Sequence, residues 1–182
     1  MRWQKRSFQS PLSTFSNHVS VVPNDQIKRV TSLKFRQDFN SFGPLGYELD
    51  LAQLDDEEKD AIKQHISWYK QRRDLLVNGR FSQLLLIGDN KNIYAWSMRK
   101  GPEQVVGFYR KLARPNETLD HYLKLPGLSN KVEYSVNAEV RLQGQVLTEL
   151  GLRLPYQLNG WNQKMAQVSG DFQSFICDVK KI

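Results

Sequence analysis

The chain has a single cysteine, Cys177. No intrachain disulfide and no cysteine-based zinc site can therefore form, and the apolar setting Phe175-Ile176-Cys177 reads as a small buried hydrophobe. Histidine is scarce as well. His18, His65 and His121 stand in no metal-ligand spacing with one another or with the cysteine, so no metal and no cofactor is expected. The chain contains no G-x-S-x-G, no phosphate-loop lysine motif and no G-x-G-x-x-G. No apolar run approaches the ~20 residues that span a bilayer. The basic start Met1-Arg2-Trp3-Gln4-Lys5-Arg6 lacks the apolar core of a signal peptide, which makes a cytoplasmic location the expectation, with no membrane partner. Acidic residues are the minority: 26 Lys and Arg face 19 Asp and Glu, for a net charge of +7. The surplus is scattered over Lys5-Arg6, Lys28-Arg29, residues 70–73 and Lys180-Lys181 and matches no helix-turn-helix or RNA-recognition pattern. A solvated basic surface is expected rather than a nucleic-acid partner.

What is present suffices for a core. Hydrophobic residues make up 40% of the chain, with four Trp, seven Tyr and nine Phe, which argues against wholesale disorder. The organising stretch is residues 16–50. An apolar run at 19–22 is broken by Pro23-Asn24. Thr31 or Ser32 then caps a helix over 32–42, with Phe35, Phe39 and Phe42 on one stripe, and Gly43-Pro44 ends it. A strand over 45–51 follows, Tyr47, Leu49 and Leu51 facing one way, Glu48 and Asp50 the other. Strand, helix and strand in about thirty residues is the size of one βα repeat of a parallel fold. Such a repeat cannot bury its own faces, so the stretch reads as part of something larger.

Asp55, with Glu58 three residues on, opens a helix over 56–72. Ile62, Ile66 and Tyr69 form its buried stripe, Trp68 and His65 lie at its flank, and Asn78-Gly79 closes the segment. Beyond Gly79 the texture changes to short apolar runs at 81–87, 93–98, 105–112, 122–125, 132–136, 140–142 and 172–179. Turn residues such as Gly88-Asp89-Asn90, Gly101-Pro102, Pro126-Gly127 and Asn159-Gly160 separate them. This spacing predicts an antiparallel sandwich or barrel and a domain boundary near residue 80.

Glu48 and Asp50 are two carboxylates on one face of that strand. Retaining glycosidases hold two carboxyls ~5–5.5 Å apart, and i, i+2 on a strand permits that. The stronger reading has Asp50 capping the turn into the next helix and Glu48 paired with a cation. His18, just before the 19–22 run, reads more readily as a hydrogen-bonded structural histidine than as a site residue. No self-contained catalytic constellation emerges from the residues alone.

Four ordered motifs carry a resemblance: residues 16–24 (Ser-Asn-His-Val-Ser-Val-Val-Pro-Asn), residues 42–51 (Phe-Gly-Pro-Leu-Gly-Tyr-Glu-Leu-Asp-Leu), Leu112-Ala113-Arg114-Pro115-Asn116, and Gly170-Asp171-Phe172-Gln173-Ser174. Over about residues 11–182 the chain resembles the C-terminal portion of bacterial α-galactosidases of glycoside hydrolase family 36. The resemblance implies an α+β chain: the terminal βα units of an incomplete (β/α)8 barrel over 1–79, then a C-terminal antiparallel β-sandwich domain over 80–182. It implies retaining hydrolysis of terminal α-galactosides of raffinose type in the parent enzyme. The two catalytic aspartates would lie on earlier barrel strands, so this chain would hold no catalytic residue and be inactive in isolation. The implied partners are α-galactoside sugars, the missing N-terminal part of the same enzyme and a second copy of the chain in an oligomer. Within residues 16–20, Ser16 and His18 are the candidates for a loop that reaches the barrel mouth and shapes the sugar pocket. The alternative is a stand-alone carbohydrate-binding β-sandwich module that holds sugar on Trp96 or Trp161.

Overall fold

The computed structural model describes residues 16–84, 92–114, 122–154 and 170–182. Its first half runs strand, helix, strand, helix: β1 (Asn17–Ser20), α1 (Leu33–Asn40), β2 (Leu45–Glu48), a 3-10 turn (Leu51–Gln53) and α2 (Asp56–Asn78). β1 and β2 pair in parallel, from Asn17 opposite Leu45 to Ser20 opposite Glu48. Parallel neighbours need a crossover connection, and α1 supplies it. Asn17 and Val19 are buried and His18 is exposed, so the pair has a helix-facing side and an open side. The Asn17 side-chain amide donates to the Phe42 carbonyl at 2.7 Å, tying the end of α1 to the start of β1.

The helix starts follow the expected capping chemistry. Ser32 Oγ accepts from the Phe35 N–H at 3.0 Å. Asp55 accepts from the Glu58 N–H and Glu58 reaches back to the Asp55 N–H, a complete capping box of a kind that contributes about 1 kcal/mol. The ends differ from expectation. α1 stops at Asn40, which frees Phe42 to leave the helical stripe and become fully buried. α2 continues to Asn78 rather than ending near 72, because its apolar stripe continues through Leu75 and Leu76. β1 starts two residues before the apolar run at 19–22 and ends within it at Ser20, and β2 ends at Glu48. Leu51, expected on the buried face of a longer strand, starts the 3-10 turn and is 57% exposed.

The second half is a six-stranded antiparallel sheet in the order β3-β4-β5-β10-β7-β8. The strands are β3 (Arg80–Leu84), β4 (Ile93–Lys100), β5 (Glu103–Arg110), β7 (Glu133–Val136), β8 (Val140–Gln143) and β10 (Gln173–Lys181). The last strand inserts between β5 and β7. A small pair, β6 (Tyr122–Leu123) and β9 (Leu152–Arg153), and the short helix α3 (Gly144–Glu149) complete the set. Helices with an antiparallel sheet make this an α+β fold.

Strand alternation gives the sheet two faces. Val106, Phe108, Cys177 and Val179 pack with Leu123, Leu125, Leu147 and Leu152. The opposite face carries Trp96, Met98, Val105 and Tyr109, which pack with Phe42, Tyr69 and Leu76 from the helical half. Gly107 makes this second contact possible, since a Cβ there would stand 2.9 Å from the Phe42 ring and 2.5 Å from Tyr109 Oη. Residues 1–10, Gly88-Asp89-Asn90, His121, Asn159-Gly160 and Trp161 lie outside the described residues.

Candidate functional site

In parallel α/β units ligands gather at the carboxyl ends of the strands. Here those ends are Ser20 and Glu48, followed by the loop 21–31 and by the turn at Leu49 and Asp50. A cavity of about 470 Å³ lies beside the first, with Ser20, Val22, Arg29, Arg36, Phe39 and Phe172 among its walls. Arg36 Nη1 donates to the Ser20 carbonyl at 2.5 Å, and burial pulls the Arg36 guanidinium below its usual pKa. The Arg29 guanidinium stacks over Phe172 at 4.6 Å. Asn24 organises the loop, its Oδ1 accepting from the N–H groups of Gln26 and Ile27.

Ser16 and His18 are brought together: Ser16 Oγ and His18 Nε2 stand 2.9 Å apart. Residues 17–20 are strand rather than the expected loop. Ser16 precedes β1, at the end away from Ser20, and His18 lies within β1 on its open side. The ring lies over Gly46, its partner in the register.

Glu48 and Asp50 do not form a reacting pair. Asp50 caps the 3-10 turn, accepting from the Ala52 N–H at 2.9 Å and from the Gln53 amide at 3.1 Å, and Glu48 is exposed at the strand end. The carboxylate that sequence reading missed is Asp38, 6% exposed in the interior. Ser174 Oγ donates to its Oδ2 at 2.7 Å, Lys34 forms an ion pair with it, and Tyr109 Oη donates to its backbone carbonyl. Lys34 and Asp38 at i, i+4 look like a surface helix pair. Nothing local in the sequence announces the strand that buries it.

His65, expected at the flank of its helix, joins a second polar cluster. Gln37 donates to Tyr47 Oη, which lies 2.6 Å from His65 Nδ1. His65 Nε2 lies 2.8 Å from Ser41 Oγ, and Ser41 donates to the Gln37 carbonyl. Each hydroxyl has one proton, so the arrangement is closed by a neutral imidazole protonated at Nε2. Burial, with a smaller contribution from the Lys34 charge, lowers the His65 pKa to about 4. Burial pushes the Tyr47 hydroxyl up to about 12. This is a scaffold holding β2 to both helices.

Trp96 is 1% exposed and stacked on Tyr109 at 4.3 Å. The proposal of sugar binding on Trp96 is therefore corrected, because the ring is a core element. Cys177 is 2% exposed and burial drives its thiol pKa well upward. Among the described residues no group of His, Cys, Asp or Glu is assembled that could hold a metal, and no helix is long and apolar enough to cross a membrane.

Two family patterns match the chain: Melibiase over residues 3–79 and the glycosyl hydrolase family 36 C-terminal domain over residues 95–177. The α-galactosidase AgaA of Geobacillus stearothermophilus is 36% identical over 173 residues, which are 94% of this chain and 22% of that protein. Alpha-galactosidase 1 of Pediococcus pentosaceus is 32% identical over 163 residues, 87% of this chain and 22% of its own length. Among solved structures, a variant of that AgaA in complex with raffinose superposes with a TM-score of 0.82 at 34% identity, covering 94% of this chain and 22% of the other. The α-galactosidase of Lactobacillus brevis gives 0.87 at 30% identity, covering 99% of this chain and 24% of the other. The chain thus spans about a fifth of the length of the relatives it matches.

Proposed function

Because the chain belongs to glycoside hydrolase family 36, matching a part of its members that includes their C-terminal domain, we propose that these residues are the closing part of an α-galactosidase. In this reading residues 1–79 end a (β/α)8 barrel, with β1 and β2 as its last strands and α1 and α2 as its last helices. Residues 80–182 are the C-terminal antiparallel β domain, a sandwich in which the β6–β9 pair and α3 cover one side of the large sheet. The whole enzyme removes terminal α-galactosyl units from raffinose-type sugars with retention, using two aspartates carried on earlier strands.

The observation that carries this reading is the parallel β1–β2 pair, whose outer edges are unpaired among the described residues. A barrel is closed by eight strands, and its site is built from loops at all their carboxyl ends. Two strands supply one quarter of that wall. The partner of the 182-residue chain is accordingly the part of the enzyme holding the other strands, and a further copy in an oligomer is a second contact. His18, oriented by Ser16, lines the lumen side of the wall beneath the sugar.

The test is release of chromophore from an aryl α-galactoside. The purified 182-residue chain is expected to release none. Activity is expected to appear when the separately produced N-terminal part of a relative such as AgaA is added. Hydrolysis by the chain alone would overturn the reading.

A further inference from the structure

The sheet face away from α1 and α2 is apolar over most of its extent and turns polar towards the β4–β5 hairpin. The register sets Arg80 opposite Arg99 and Ser82 opposite Ser97, with Arg99 opposite Gln104 on the other side. A cleft of about 470 Å³ opens over these side chains, bordered by Gly127. An adjoining cleft of about 520 Å³ shares Arg99, Gln104 and Gly127 with it.

Three features mark this as a built site. First, two arginines occupy directly paired positions on neighbouring strands, a pairing of like charges that repels, and no carboxylate is among the residues lining either cleft. Second, Arg99 is braced: its Nη1 donates to the Gly127 carbonyl at 2.5 Å and its Nε to the Gly101 carbonyl at 3.5 Å. Gly127, at φ +82, allows that approach, since a Cβ there would stand 3.3 Å from Nη1. A guanidinium has five N–H donors, so most of them remain for another acceptor. Third, the floor is polar. Ser97 and Gln104 are 1% and 5% exposed, and neither Ser97 Oγ nor Gln104 Oε1 has a hydrogen-bond partner among the described residues. Buried polar atoms are normally partnered. Oε1 is an acceptor and requires a donor; the arginines are donors and require an acceptor, best an anion.

We propose that this cleft binds a small hydroxylated anion of the sugar-phosphate class. The phosphate lies between Arg80 and Arg99, and ligand hydroxyls meet the polar floor when the Gln104 and Ser97 side chains, whose Oε1 and Oγ are closed to solvent here, turn towards them. A neutral sugar satisfies only the floor, and inorganic phosphate satisfies chiefly the arginines. The site is independent of the barrel chemistry, so a hydrolysis assay and a binding assay on the same preparation report on different claims.

Calorimetric titration of the 182-residue chain with galactose 6-phosphate, inorganic phosphate and galactose tests the proposal. Galactose 6-phosphate is expected to bind saturably, and each of the other two at least tenfold more weakly. Arg80→Ala alters an exposed side chain and is expected to keep the melting temperature while weakening galactose 6-phosphate at least tenfold. Gln104→Leu is expected to bring galactose 6-phosphate to the level of inorganic phosphate. Absence of saturable binding, equal affinity for inorganic phosphate, or unchanged affinity in Arg80→Ala would each overturn the proposal.

Discussion

The His18 imidazole lies over Gly46 on the open side of the β1–β2 pair, so that a Cβ at residue 46 would stand 3.2 Å from Nδ1 and 3.6 Å from Cε1. The glycine is thus the floor on which the ring rests, and Ser16 is the side rail. Gly46→Ala is expected to move the ring and break the Ser16 contact. Removing the ring first should relieve the clash, so Gly46→Ala and His18→Ala are predicted to couple by about 0.5–1 kcal/mol in a double-mutant cycle. Urea unfolding of the four proteins measures it. Simple additivity would mean that the two residues do not touch in solution.

The pair Arg72 and Asp178 joins α2 to the last strand of the sheet. Arg72 Nε donates to Oδ1 at 2.6 Å and Nη2 to Oδ2 at 2.5 Å, with both side chains under 20% exposed. The same guanidinium lies over Trp68. A two-point, largely desolvated pair strongly resists loss of one partner. Asp178→Asn is expected to cost about 2 kcal/mol, less than a fully buried pair because some solvent reaches it. Thermal melts should show the whole chain losing stability in one transition. If only the sheet signal or only the helix signal shifts, the two halves do not fold as one unit.

Acid should act through His65. Its folded pKa of about 4 lies below the ordinary 6.5, so the unfolded chain takes up a proton that the folded chain refuses. Stability from this residue is fully present above about pH 6.5 and falls as the pH drops towards 4. The loss amounts to at most about 3 kcal/mol. His65→Gln should be less stable at pH 7, having lost one of two hydrogen bonds, and should show a flatter decline between pH 6.5 and 4.5. Parallel slopes for the two proteins in urea titrations across that range would remove His65 as the cause.

Much of this architecture is legible in the residues, and the illegible parts share one physical reason. Asp55 and Glu58 announce α2, and Ser32 announces α1, because caps are local. The strand-helix-strand order at 16–50 follows from turn chemistry and apolar period. The end of α2 is illegible because Lys70, Arg72 and Arg73 resemble a final turn, whereas Leu75 and Leu76 continue the stripe into a surface that only the sheet provides. Leu51 looked like an inward strand residue until Asp50 turned the chain. Asp38, Trp96 and the cleft at Arg99 depend on partners far along the chain. Ser174, Tyr109 and Gly127 say nothing about those contacts until strands pair, so no window of neighbouring residues could have revealed them.

The helical half leaves apolar surface where more chain would be expected to lie. Val21, Ile27 and Val30 in the loop after β1 are 42%, 59% and 48% exposed, and Leu51 after β2 is 57% exposed. They flank a parallel pair whose outer edges are unpaired among the described residues, the kind of surface that recruits another strand. The 182-residue chain is therefore expected to self-associate, with an elution volume in size-exclusion chromatography that moves with concentration. Charges placed on this surface should oppose association without touching the core. The double variant Val21→Lys, Ile27→Lys is expected to shift the chain towards monomer with little change in melting temperature. An unsubstituted chain that stays monomeric at all concentrations would show that these edges need no partner, and would count against the barrel-closing role itself.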